Sequence, residues 1–200
     1  LRRVPPGMPV YVLGSTPGPL FPYELWSVDD TGHSERLFEN DGDLYLAGQG
    51  AVQIGSRAFF SVVEEGVGTQ LWLTDGTASG TVVRSAGGIS ILDPRVSTVV
   101  GDDLFYGEYQ GDTWVVRKLH LSGTGPPETV EVACSGECWD SSQRFVRAVG
   151  STLVYPVKDD LLGRELAARD ALTNERTLFD LCPGACSSFP GQVRDLEGLF

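Results

Sequence analysis

Apolar residues along this chain fall in short runs of five to seven, broken by Gly, Asp, Asn and Pro. Alternation within the runs has the two-residue period of strands, and no stretch carries the 3.6-residue period of a long amphipathic helix. Residues 164–170 alone pass for helical, and their register with the repeat described next overrules that. After Gly55 the pattern predicts four strands, at 58–64, 69–74, 81–85 and 95–100. They are separated by Gly66-Val67-Gly68, by Asp75-Gly76-Thr77, by the stretch from Gly87 to Pro94, and by Gly101-Asp102-Asp103. Asp-Gly is a strong hairpin signal, because Gly takes positive φ at no steric cost.

The pattern repeats. An apolar–aromatic pair recurs as Val10-Tyr11, Phe59-Phe60, Phe105-Tyr106 and Val154-Tyr155, at spacings of 49, 46 and 49 residues. Gly55, Gly101 and Gly150 each stand five residues before the second member of a pair. A second landmark starts at Glu24-Leu25-Trp26 and continues at Gln70-Leu71-Trp72, and its register assigns Leu119 and Ala167 as the later equivalents of Trp26. Two landmarks with one period mark duplication of a unit of about 47 residues. Four hairpin-linked strands per 40–50 residues form the blade of a propeller. The expected fold is therefore all-β: a propeller-like array of about four four-stranded antiparallel blades. It reads as one repeat domain over 1–200, with units near 10–56, 57–103, 104–152 and 153–198. The chain opens without Met, and Gly198-Leu199-Phe200 resembles the start of a fifth copy, so a fragment of a larger propeller is expected.

Charge narrows the partners. Acidic residues outnumber basic ones 27 to 15, for a net charge of −12. That disfavours nucleic acid and anionic membranes, which draw Lys- and Arg-rich surfaces. No apolar run reaches the 18 or so residues of a membrane span.

At the second landmark the sequence resembles the bacterial ELWxxDGT repeat family. Leu71-Trp72-Leu73-Thr74-Asp75-Gly76-Thr77 followed by Gly80-Thr81 is similar to that consensus, with Gln70 in place of Glu. Glu24-Leu25-Trp26 with Asp29 and Thr31 matches next best, with Asp30 where Gly is expected. The resemblance implies propeller-like blades in a secreted or surface-associated protein and brings no catalytic residue with it.

Trp26 and Trp72 are expected to pack between blades, since the same position recurs; the alternative is a carbohydrate-stacking platform. Asp75-Gly76-Thr77 reads as a turn: Asp75 binds nearby backbone, Gly76 takes the left-handed position and Thr77 opens the next strand. One carboxylate per turn falls far short of a calcium shell. The four cysteines form two C-x₃-C pairs, Cys134 with Cys138 and Cys182 with Cys186, offset by 48 residues. Two local disulfides are expected, with cross-blade pairing and a four-cysteine zinc site as the alternatives. Disulfides imply an extracellular, cell-surface or periplasmic setting. No catalytic, cofactor or metal motif is present; His33 and His120 read as structural or solvated. The functional expectation is a non-catalytic module recognising a protein or a glycan. A propeller-type carbohydrate-active enzyme and a structural spacer are the alternatives.

Overall fold

The computed structural model describes residues 10–15, 23–39, 44–54, 57–86, 96–123, 125–136, 138, 144–183 and 188. Among them are fifteen strands in four antiparallel sheets, and no α-helix. The chain divides into two compact units, Leu1–Asp93 and Pro94–Phe200.

The first unit holds two sheets. One is built from β1 (Val10–Ser15), β2 (Tyr23–Val28) and β3 (Ser34–Glu39) in chain order. The other is built from β4 (Leu44–Ile54), β5 (Arg57–Glu64), β6 (Gly68–Thr74) and β7 (Val82–Ala86). In the second unit β8 (Ser97–Val100), β9 (Asp103–Gln110), β10 (Thr113–His120) and β11 (Glu128–Cys134) form one sheet. The other comprises β12 (Arg147–Val149), β13 (Thr152–Asp159), β14 (Gly163–Asp170) and β15 (Arg176–Phe179). Every pairing is antiparallel between consecutive strands, so each sheet is a meander whose two outer strands are its edges.

The sheets begin one strand earlier than the repeat boundaries suggest. Of residues 95–100, expected to close the second unit of the repeat, Ser97–Val100 instead form β8, the opening strand of the third sheet, with Val99 opposite Leu104. Turn length explains the phase. Gly101 and Asp102 make a two-residue hairpin, with φ of 62° at Gly101, and Gly150 repeats it at 61° before β13. Hairpins this tight join strands of the same sheet. Gly55, the matching glycine of the second copy, lies outside the described residues.

Apolar residues fill the space between the two sheets of each unit. In the first, Leu25, Phe38, Phe60 and Val62 are buried, with Trp72 packed partly buried against them. In the second, Phe105, Trp114, Val116, Val146, Leu153 and Tyr155 form the core. Trp114, not singled out by the repeat, is 1% exposed and is among the largest buried side chains. It rests on Gly107, where an added Cβ would lie 2.4 Å from its ring.

Candidate functional site

Pairing across the central hairpins defines which residues are structurally equivalent. Phe60 faces Trp72, Tyr106 faces Arg117, and Tyr155 faces Ala167. Arg117, not Leu119, therefore takes the tryptophan position in the third sheet. A β-bulge confirms this. The outer strand gains one residue beside Leu25/Trp26, Leu71/Trp72 and Val116/Arg117 alike. Bulges fix register, so their recurrence at one position identifies the copies independently of side-chain type.

The tryptophans serve the fold through both ring and N–H. Trp72 meets Phe38 edge-on at 5.4 Å and lies 6.0 Å from Phe60, packing the two sheets of the first unit together. Its Nε1 donates to Gln70 Oε1 at 2.9 Å, and Gln70 in turn donates to Glu64. Trp26 repeats the bond, donating to Glu24 Oε2 at 2.9 Å, with the Arg36 guanidinium 5.9 Å from the ring centre. In the third sheet Arg117 donates to Glu108 Oε1 at 3.1 Å and to the Pro127 carbonyl at 2.7 Å. In the fourth, Ala167 has no donor to give. Glu165, fully buried, accepts from the Leu181 N–H through Oε2, and its Oε1 has no partner among the described residues.

Three positions after the tryptophan comes the turn carboxylate. Asp75 Oδ1 accepts from Thr77 N at 3.0 Å and from Thr77 Oγ1 at 2.8 Å, and Gly76 sits at φ 98°. Thr77 does not open the next strand. It accepts from Gly80 N at 3.0 Å through Oγ1 and prolongs the turn, so β7 begins at Val82. A Cβ at Gly80 would stand on the Asp75 carboxylate and push it out of these bonds. Asp29 caps the same turn through Thr31 and His33, and Asp170 through Leu172 and Thr173. These bonds favour the ionised form, led by the Thr31 hydroxyl at Asp29, the Thr77 hydroxyl at Asp75 and the Thr173 amide at Asp170. All three carboxyls are held below their ordinary pKa.

The third sheet carries His120 at that position. Its Nδ1 lies 2.8 Å from Asp103 Oδ1, and its Nε2 lies 3.1 Å from Ser122 Oγ and 3.5 Å from Asp102 Oδ2. Acid, imidazole and hydroxyl thus have the connectivity of a hydrolytic relay. They stand on an exposed turn, where the same bonds replace those of the missing aspartate.

A largely enclosed charged network of the second unit links β11 to the neighbouring sheet. Glu131 Oε2 accepts from the Tyr155 hydroxyl at 2.5 Å and from Arg169 Nη2 at 3.0 Å, while Oε1 accepts from Arg176 Nε at 2.8 Å. Arg169 also donates to the Tyr155 oxygen at 3.1 Å and to Asn174 Oδ1 at 2.8 Å, fixing the turn where Asn174 adopts φ 65°. Burial first, and then the bond to Glu131, pushes the Tyr155 phenol well above its ordinary pKa.

Beside this network the two sheets enclose a cleft of about 270 Å³. Its apolar lining is Phe105, Val130, Leu153 and Ala171, with Phe105 and Leu153 buried in the core below. Lys118, Glu128, Arg169 and Asn174 supply polar groups, and Leu172, 78% exposed, stands at its margin. Phe105, Lys118 and Glu128 form one row across β9, β10 and β11. Lys118 Nζ lies 3.3 Å from Glu128 Oε2. Apart from Phe105, none of these residues belongs to a sequence motif. What marks them is register, since one row across three strands must share a face.

Cys134 and Cys138 are joined in a disulfide with Cα atoms 5.7 Å apart. Arg164 Nη2 donates to the Cys138 carbonyl at 3.1 Å, and the Arg164 carbonyl accepts from Ser188 N at 2.8 Å. Cys182 is also disulfide-bonded, and Cys186 lies outside the described residues. Trp26, Trp72 and the Asp75 turn lie in the first unit and the cysteines in the second. Among the described residues no helix is long and apolar enough to cross a membrane.

No known family profile and no curated protein sequence matches the chain. Solved structures do. A prolyl endopeptidase is similar at a TM-score of 0.56 and 13% identity, over 86% of this chain and 24% of that one. TolB from Acinetobacter baumannii gives a TM-score of 0.54 at 13% identity, over 86% of this chain and 41% of that one. This chain spans well under half the length of either. At such identities the likeness speaks for the fold alone, and with four meander sheets it makes the chain an all-β, propeller-like array.

Proposed function

We propose that the chain is a non-catalytic recognition module of an extracellular, surface or periplasmic protein, and that it takes its protein or glycan ligand in the cleft between β11 and the β14 turn. The cleft carries this reading. It is a concave, mostly polar site where Lys118, Glu128, Arg169 and Asn174 converge beside Val130 and Ala171. The Cys134–Cys138 disulfide supports the compartment, since such bonds persist in oxidising surroundings. The resemblance to the ELWxxDGT repeats points the same way.

A hydrolytic reading has one observation in its favour, the Asp103–His120–Ser122 relay. His120 has more than half of its side chain exposed, so water competes for every charge that such chemistry would develop. The deciding experiment pairs a glycan array and a peptide panel with Ala171→Trp, which fills the cleft. Loss of binding at an unchanged melting temperature is the expected result. Binding indifferent to Ala171→Trp overturns the reading, as does ester hydrolysis that Ser122→Ala abolishes.

A further inference from the structure

We propose that the outer edge of the fourth sheet is a self-association surface. There β15 pairs antiparallel with β15 of a second copy of this chain, Arg176 of each copy lying opposite Asp180 of the other. Three observations carry this, and none draws on the cleft.

The first is a missing safeguard. An outer strand presents a row of unpaired N–H and C=O groups, and a bulge is one device that twists such a row away from other chains. β3, β7 and β11 each pair across the bulge at the tryptophan position. β15 does not: Ala167 opposite Leu178 follows Leu166 opposite Phe179 with no shift. Among the described residues no strand lies on its other side.

The second is the direction of the free groups. Asp170 N donates to the Glu175 carbonyl, and Leu181 N donates to Glu165, so the edge reaches from residue 175 to residue 181. Bonds alternate sides along an antiparallel strand. Glu175 and Leu181 bond inward, which leaves Arg176, Leu178 and Asp180 facing outward. A two-fold axis at Leu178 matches all three, Leu178 with its own copy and Arg176 with Asp180 on either side, for about six backbone bonds.

The third is charge. In a protein of net charge −12 most surfaces repel their own copy, but this edge carries both signs in the register that the bonds require. Arg176 gives Nε to Glu131 at 2.8 Å, which fixes the guanidinium, and its terminal nitrogens have no partner among the described residues. Asp180 is exposed. A slip of one residue would set Glu175 against Asp180, and like charges directly opposite are unfavourable. On the other face Phe179, 42% exposed, falls opposite Thr177 of the second copy. Exposed Leu172 and Leu181 stand at opposite ends of the edge, and antiparallel pairing brings them to the same end.

The test is sedimentation velocity of the full chain with its disulfides intact. A monomer–dimer equilibrium is expected with Kd on the order of 100 µM, as suits an interface at the small end of the range. Asp180→Arg should weaken it about tenfold, because two opposite-charge pairs become like-charge pairs. The same reversal at Glu65, exposed in the turn after β5, should leave it unchanged. Mixed Thr177→Cys and Phe179→Cys chains should form an interchain disulfide, their Cα atoms lying about 4.5 Å apart, while neither variant links to itself. A chain that stays monomeric to about 1 mM overturns the proposal, whether or not the edge accepts a strand from another protein. So does a dimer that Asp180→Arg leaves intact, or one in which the mixed cysteines fail to link.

Discussion

Each unit joins its two sheets at the same three-residue corner, and the two corners are chemically opposite. In the first unit Phe38, Phe60 and Trp72 meet as aromatic rings. In the second, Glu131 stands where Phe38 stands, facing the residue just before the bulge, and Tyr155 stands where Phe60 stands. Ala167 replaces Trp72, and Arg169, two residues along the same strand, fills the gap with charge. One backbone geometry thus accepts a non-directional apolar contact or a directional ionic one. The tolerances differ. An aromatic corner loses area in proportion to what is removed, whereas a buried ionic corner fails when any member leaves its partner uncompensated.

The sharpest break of that contrast is Glu131→Ala. It strands Arg169, only 12% exposed at its side chain, together with the Tyr155 hydroxyl. A loss of about 3–5 kcal/mol in urea unfolding is expected, and a loss below about 1 kcal/mol would equate the two corners. Trp72→Ala should cost less, about 2 kcal/mol, because its ring is only partly buried and fully buried rings cost about 3–5. Trp114→Ala is the internal standard for that upper figure. A larger loss at Trp72 than at Trp114 would make the aromatic corner the main fastening of the fold. Tyr155→Phe keeps the ring and removes one bond to Glu131, so about 1 kcal/mol is expected.

Alkaline pH separates the corners without mutation. Burial, and less strongly Asp75, pushes the Tyr11 phenol up to about 12, and Tyr106 and Tyr155 are raised further. A raised pKa means the folded state holds the proton more tightly. This contribution is whole below pH about 10, the unfolded value, and is lost as pH rises through the folded values. Absorbance at 295 nm should show these phenols titrating late, and Tyr155→Phe should lessen the alkaline loss. The turn aspartates give the smallest effect and the opposite sign. Their depressed pKa values contribute stability that is present above pH about 4 and lost as pH falls through the folded values. Asp75→Asn should flatten that acid limb slightly; a steeper limb would contradict the assigned bonds.

The sequence made the period legible but not the phase. Apolar alternation and Gly spacing repeat whichever strand is counted first. Only hairpin length tells that residues 97–100 pair forward with β9. The tryptophan position was legible as a repeat in two copies, where Trp26 and Trp72 make the same bond to a residue two positions back. It was misplaced in the third copy for a physical reason. There β9 and β10 are joined by the two residues Gly111 and Asp112, where the second sheet uses three, so Arg117 arrives earlier than a constant spacing allows. The Asp75 turn was legible because its bonds are local. The Glu131 network and the cleft were not, because their members come from separate strands and are assembled only by sheet register.

Gly107 and Trp114 carry a consequence for how this chain can change over time. With Trp114 in place, alanine at 107 would bring a Cβ within 2.4 Å of a buried ring that has nowhere to move. The order of substitution is therefore constrained: the indole must shrink before the glycine can be lost, and the intermediate with a smaller residue over a bare glycine carries a void. Descendants of this blade should keep the pair or lose it together. Covariation between these two positions should accordingly exceed the conservation of either one alone.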